Sequence, residues 1–232
     1  MKKFGIAAIT VISAAAFATG CGSSSQSSTS AADTQAAQTE STEESKEEET
    51  EKSADNVKVS IGVVGSVYDE LWAGPKAKLA DEGVDLDIVQ FSDYVTPNNA
   101  LNSGEIDLNA FQHQIYLNNE IEQYGYEIQA IGDTFIIPLN LYSDKVSSVD
   151  EIKDGDVVAI PNDLTNGGRA IKVLAAAGLI TLKDDADFSP TVDDIDKYNV
   201  NIKIEELAAN TIPSVLPDVT AAIINGNYAL DF

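Results

Sequence analysis

Asp156-Val-Val-Ala-Ile-Pro-Asn-Asp-Leu-Thr-Asn-Gly-Gly-Arg169 is the stretch on which the fold turns. Asp156 to Ile160 is a short, nearly continuous apolar run, the pattern of a strand covered on both faces. Pro161-Asn162-Asp163 then turns the chain, and a helix is expected from about Thr165 to Ala177, with Gly178 just past its end. A buried strand, a tight turn and a helix at this spacing form half of a βαβ unit, and such units build largely parallel sheets.

The flanking residues repeat the style. On the amino side, Ser148 is expected to cap a short helix around Val149 to Lys153, and Asp154-Gly155 turns the chain. On the carboxyl side, Ile202 to Glu206 and Val219 to Ile224 read as further strands. Earlier still, Val57 to Val64 opens the folded part as a strand, and Gly65-Ser66 turns. Tyr68 to Trp72 reads as a short turn. Gly74-Pro75 starts a helix with proline at its first position, and Gly83 ends it. Leu86 to Phe91 is a strand, and Thr96-Pro97 a cap with proline behind it. Gly104 stops that helix, and Ile106 to Phe111 is a short strand. Ile115 to Tyr124 is a helix closed by Gly125, and Glu127 to Tyr142 holds one or two strands interrupted by Pro138. The expected architecture is α/β, with two βα lobes, residues 57–139 and 140–232, joined near residues 138–142.

Ahead of this body the composition changes twice. Lys2 and Lys3 precede an apolar run from Phe4 to Phe17, too short for a permanent membrane span, followed by Ala18-Thr19-Gly20-Cys21. This order reads as a secretory signal over residues 1–20. Cys21 is the only cysteine, so it has no internal disulfide partner. Ala-Thr-Gly-Cys resembles the bacterial lipobox, which implies cleavage before Cys21 and acylation there; two or more acyl chains hold a protein on a membrane far better than one. Residues 22–56 are Ser, Thr, Gln, Ala and then clustered Glu, with no Leu, Ile, Val or aromatic before Val57. Such a stretch cannot offset its chain entropy by burial and is expected to act as a disordered acidic linker.

The chain carries a net charge of −24, of which the linker supplies seven negative charges; with the two leader lysines set aside, about −19 remains on the folded part. A body this acidic repels nucleic acid and anionic lipid. No nucleic-acid partner is expected, and membrane attachment is assigned to the lipid anchor.

Rare residues carry the chemical signal. Arg169 is the only arginine, placed in the first turns of a helix behind Asn166-Gly167-Gly168. Free N–H groups at a helix start favour anions, and a guanidinium can grip a carboxylate with two bonds. The alternative is a solvated surface cation, although lysine fills every other cationic position. Gly-Gly-Arg lacks the spacing and the Lys-Ser/Thr pair of a phosphate loop, and no cofactor is expected. His113 is the only histidine. With no second His or Cys nearby it does not announce a metal site, and no nucleophile-elbow pattern accompanies it. Tyr94, Phe111 and Tyr116 lie close to it in sequence, at strand and helix ends; they read either as a small-ligand wall or as plain core.

Four blocks, Phe91-Ser-Asp-Tyr-Val-Thr-Pro-Asn-Asn-Ala-Leu101, Gly104-Glu-Ile-Asp-Leu-Asn-Ala-Phe-Gln-His113, Val158 to Arg169, and Ala222-Ile-Ile-Asn-Gly-Asn-Tyr-Ala229, resemble in order the NlpA/MetQ family of methionine-binding lipoproteins. The resemblance spans nearly all of residues 57–232. It implies a two-lobed, periplasmic-binding-protein-like (type II) fold that closes on its ligand. It also implies delivery of methionine, or a similar small zwitterion, to an ABC permease and its ATPase, with no enzymatic turnover. By matched position, Tyr94, Phe111, His113 and Tyr116 would line the side-chain pocket. Arg169 would hold the carboxylate, and Asn162 and Asn225 would bond the head group. Where the family shows Leu-Pro-Arg-Ser, this chain has Ile212-Pro213-Ser214. The family also continues past the position of Phe232, with a strand returning to the first lobe and a further site asparagine, so the first lobe is expected to lack part of its sheet. The competing functional classes are a surface lipoprotein acting through protein contacts with a vestigial pocket, and a hydrolase using His113.

Overall fold

The computed structural model describes residues 56–232; the signal, Cys21 and linker readings lie outside them. Helix and strand alternate through the described chain, as expected of an α/β fold.

The first half is built on a three-stranded parallel sheet. β1 (Val57–Val64) is its centre, flanked by β2 (Val84–Phe91) and the two-residue β3 (Leu108–Asn109), in the order β2-β1-β3. β1 grows more buried along its length until Ile61 to Val64 are enclosed, because its carboxyl end runs into the middle of the molecule. Parallel neighbours require crossovers, and helix α1 (Val67–Asp81) supplies the first. α2 (Thr96–Ser103) leads from β2 to β3, and α3 (Gln114–Tyr124) follows β3.

The second half holds a four-stranded sheet in the order β4-β9-β5-β8: β4 (Leu139–Tyr142), β9 (Ala221–Asn225), β5 (Val157–Pro161) and β8 (Lys203–Leu207). β5 runs parallel to both neighbours, and β4 alone is antiparallel. Every residue of β9 and all but one of β5 are buried, which explains why β5 reads as a continuous apolar run. Helix α4 (Leu164–Ala176) lays Ala170, Ile171 and Leu174 on this sheet, at three- and four-residue spacing, in one apolar cluster with Val158, Ile160 and Ile223. The short helix α5 (Ile212–Val215) precedes β9, and α6 (Gly226–Leu230) follows it. α6 crosses to the first sheet: Asn227 Nδ2 donates to the Val64 carbonyl at 3.0 Å, and Val64 shares an apolar cluster with Tyr228, Ala222 and Ile224. The expected division at residues 139/140 falls at the first residue of β4.

Five expectations need correction. Tyr68 to Trp72 is not a turn, and Gly74-Pro75 does not begin a helix. α1 runs unbroken from Val67 to Asp81 with Pro75 inside it. Tyr68, Trp72 and Leu79 share one face and pack on Ile61, Val63 and Leu86, while Gly74 and Pro75 are themselves exposed. Packing of that face outweighs the proline's missing N–H and steric penalty of about 3 kcal/mol.

Residues 125–138 form no strand, and only Leu139–Tyr142 does. Among the described residues no strand pairs with this segment, and Ile131 and Ile136 are 79% and 95% exposed. Thr96 does not cap helix α2 but is its first residue; the Asp93 carboxylate ahead of it accepts from the Val95 and Thr96 N–H groups at 2.8 and 2.9 Å. The turn at Val149–Glu151 is a single 3-10 turn, and Ser148 makes no side-chain cap bond there. The antiparallel pair β6 (Ile180–Leu182) and β7 (Ile195–Tyr198) is an addition to the expected elements; its short strands are largely exposed and carry little periodic signal.

Candidate functional site

The carboxyl ends of the parallel strands converge, and the chain just beyond them lines a cavity of about 1310 Å³. Tyr94 follows β2; Phe111 and His113 follow β3; Asn166 and Arg169 follow β5; Asn225 ends β9, and Asn227 is next but one. This is where α/β sheets place ligands, since loops and helix starts gather there while the strands hold them rigid. Helices α3 and α4 both begin at this cavity, so their unpaired N–H groups bias it toward anions.

One oxygen organises the polar side. Asn166 Oδ1 accepts from Arg169 Nη1 at 2.9 Å and from Asn225 Nδ2 at 3.0 Å, and it lies 3.3 Å from His113 Nε2. The orientation of its amide is fixed from the other end. Asn166 Nδ2 donates to both oxygens of Asp163 at 3.1 and 3.0 Å, and Asp163 also caps α4 through the Asn166 N–H at 2.8 Å. Gly167 and Gly168 let this helix start sit close to its surroundings. A Cβ on Gly167 would lie 2.9 Å from the Pro161 carbonyl, and one on Gly168 2.8 Å from Ser189 Cα.

The ring of His113 is also defined. Its Nδ1 accepts the Tyr116 N–H at 3.0 Å, capping α3, so a neutral ring carries its proton on Nε2 and donates to Asn166. Burial, with the Arg169 cation beside it, pushes the His113 pKa below its ordinary value. Both nitrogens are thus engaged, one as acceptor and one as donor, and neither offers a free lone pair for general-base work.

Three rings make the apolar side. Tyr94 and Phe111 stack with centroids 5.8 Å apart, and Tyr116 stands edge-on to both at 6.1 Å. Tyr94 donates to Asn227 Oδ1 at 2.6 Å, and Tyr116 to the Tyr94 carbonyl at 3.1 Å. Burial raises the pKa of both phenols, so the wall stays uncharged. Around Asn166 the charges are those of Arg169 and Asp163, and Asp163 is occupied as a cap. Among the described residues, Arg169 makes only the bond to Asn166. Asn225 Oδ1 is buried without a partner, an acceptor waiting for a donor. A molecule with a carboxylate, an ammonium and an apolar side chain meets a complement for each part here.

The structure therefore gathers six of the seven residues singled out in the sequence: Tyr94, Phe111, His113, Tyr116, Arg169 and Asn225. Asn162 is not among them. It is exposed, lies ahead of the α4 cap and pairs through its backbone N–H with the Leu207 carbonyl. Asn166 takes the central place instead. Its spacing could have revealed it, because three residues before Arg169 puts both on one helix face. Asn227, the partner of Tyr94, had no comparable signal. Among the described residues there is no cluster of metal-ligating side chains and no helix long and apolar enough to cross a membrane.

The chain is similar in sequence and fold to known proteins. The NlpA lipoprotein family profile matches residues 59–232. D-methionine-binding lipoprotein MetQ of Escherichia coli (strain K12) is 42% identical over 181 residues, which are 77% of this chain and 66% of that protein. The chain thus spans about two thirds of the length of such relatives. A nutrient binding protein from Burkholderia cenocepacia, solved bound to methionine, superimposes with a TM-score of 0.69 at 42% identity, over 74% of this chain and 73% of that one. A periplasmic substrate-binding protein of an ABC transporter from Coxiella burnetii does so with a TM-score of 0.70 at 40% identity, over 74% and 73%. At these identities the likeness is of sequence and fold together.

Proposed function

Because this chain belongs to the NlpA lipoprotein family, we propose that it is the substrate-binding lipoprotein of an ABC importer and that it takes methionine or a close amino-acid relative. The observation that carries this reading is the unspent bonding capacity of the cavity. The half-buried Arg169 guanidinium uses one donor on the protein, and Asn225 Oδ1 has no partner at all. A carboxylate would occupy the remaining fork of Arg169, and an ammonium the Asn225 oxygen. The Tyr94, Phe111 and Tyr116 rings, neutral and packed on one another, would enclose a thioether side chain, which makes favourable contacts with aromatic edges. Methionine-binding relatives support the same assignment.

The ligand would pass to a membrane permease driven by an ATPase, with the two sheets acting as lobes that close on it. Acylation of Cys21 would hold the protein on the outer face of a membrane, with residues 22–56 as a tether. Turnover is not part of the proposal, since both nitrogens of His113 are engaged in structure.

Calorimetric titration with the twenty amino acids and with D-methionine tests it. The expected result is saturable binding of methionine with an affinity at least tenfold above that for leucine or any charged amino acid. Heats indistinguishable from dilution for both methionine enantiomers would refute the reading.

A further inference from the structure

Resting on the reading of Phe111 and His113 as ligand contacts, we infer that Asn98 is a positioning residue: its buried side-chain amide, paired with that of Gln112, sets where those two rings stand. Asn98 lies in the first turn of α2 and is fully enclosed, with 0% of its surface exposed. A buried amide is costly unless its bonds are made, and here they are. Asn98 Nδ2 donates to Gln112 Oε1 at 2.8 Å, and Gln112 Nε2 donates back to Asn98 Oδ1 at 2.6 Å. Asn109, at the end of β3, adds a third bond from its Nδ2 to Asn98 Oδ1 at 2.9 Å.

The pairing matters because of where Gln112 sits. Phe111 and His113 flank it in a segment outside any helix or strand, with no ladder to fix its rotation. A two-way amide pair supplies what a ladder would: it resists both sliding and twisting of the backbone at residue 112. Apolar packing could fill the same space without fixing that angle. His113 then passes the alignment on, to α3 through its cap bond and to Asn166 through Nε2. Preorganisation of this kind shows in affinity, because a loosened wall must be ordered again when ligand binds.

His113 is the only histidine, so its ring resonance in an NMR titration needs no assignment. Asn98→Ala and Gln112→Ala are made singly and together; Asn98→Asp is avoided because burial already disfavours charge on the Glu120 carboxyl facing this amide. In the wild type the ring titrates below 6.5, under the influence of burial, Arg169, Asn166 and Asp163. Each single variant is expected to move that titration up toward 6.5 as the ring gains access to water, and to weaken methionine binding on the order of tenfold. The double variant is expected to lose no more than either single one, because the two amides act as one unit. The ring titration requires no ligand, so a wild type that ignores methionine would refute the proposed function while the ring still tests the positioning role. Should Asn98→Ala fail to fold, the half-buried Gln112→Ala decides alone. A cooperatively folded Gln112→Ala protein with an unmoved His113 titration overturns the inference, as does a double variant whose loss in affinity is the product of the two singles.

Discussion

The cavity wall of Tyr94, Phe111 and Tyr116 is held by rings packed on rings, whereas the group of Asn166, Arg169 and Asn225 is held by hydrogen bonds that meet on one oxygen. The first arrangement tolerates small displacements, since apolar contact is non-directional and a neighbouring ring can shift to follow. The second does not, because a donor moved off its acceptor in a buried site loses a bond and regains no water. On the proposed function, affinity would therefore be spread over the aromatic side, while orientation of the ligand would rest on very few atoms of the polar side.

Substitutions can break this contrast in graded steps. The largest effect is expected from Arg169→Ala, which should weaken methionine binding by about 2–4 kcal/mol, since it leaves a carboxylate without its partner. Arg169→Lys should recover only part of that, an ammonium being unable to form the planar fork. Calorimetry on both variants measures it, and circular dichroism should show the fold retained. Phe111→Ala should cost less, about 1–3 kcal/mol of binding, because the remaining rings can close part of the gap.

A smaller effect follows from pH. The pKa of His113 is lowered in the folded protein, so the unfolded chain binds its proton more readily. Its contribution to stability is present in full above 6.5 and is lost as pH falls from there through the lower folded value. Unfolding midpoints measured across this range should fall on acidification, and His113→Gln should flatten that part of the profile. The smallest effect is expected from Asn162→Ala. This exposed side chain lies outside the cavity, and affinity should stay within about twofold of wild type. A large loss there would place the head group elsewhere.

The same contrast explains what could be read from the sequence. The β5–α4 unit is legible because independent local signals coincide on it: an apolar run, the Pro161-Asn162-Asp163 turn and Gly178 beyond the helix end. Arg169 and His113 stood out by rarity. The failures came where a distant partner decides. Gly74-Pro75 is a strong local sign of a helix start, yet the packing of Tyr68, Trp72 and Leu79 on the first sheet carries α1 through it. Residues 127–138 have strand-like composition but no pairing neighbour among the described residues, and a strand is defined by its neighbour. Asn162 and Asn166 differ in place, not in helix phase: Asn162 stands ahead of α4, and Asn166 lies in its first turn. The two are one turn apart in sequence, and only the position of the cap at Asp163 separates the exposed one from the buried one.

The central claim is that Arg169 recognises the carboxylate of an amino acid. It is tested most directly by titrating wild type and Arg169→Ala protein with methionine and with methionine amide, which lacks that charge. The account predicts that wild type prefers methionine by a factor of about 30 or more and that Arg169→Ala binds the two compounds within about threefold of each other, the preference vanishing with the guanidinium. A variant that keeps the wild-type preference for methionine, with its fold intact, would contradict it.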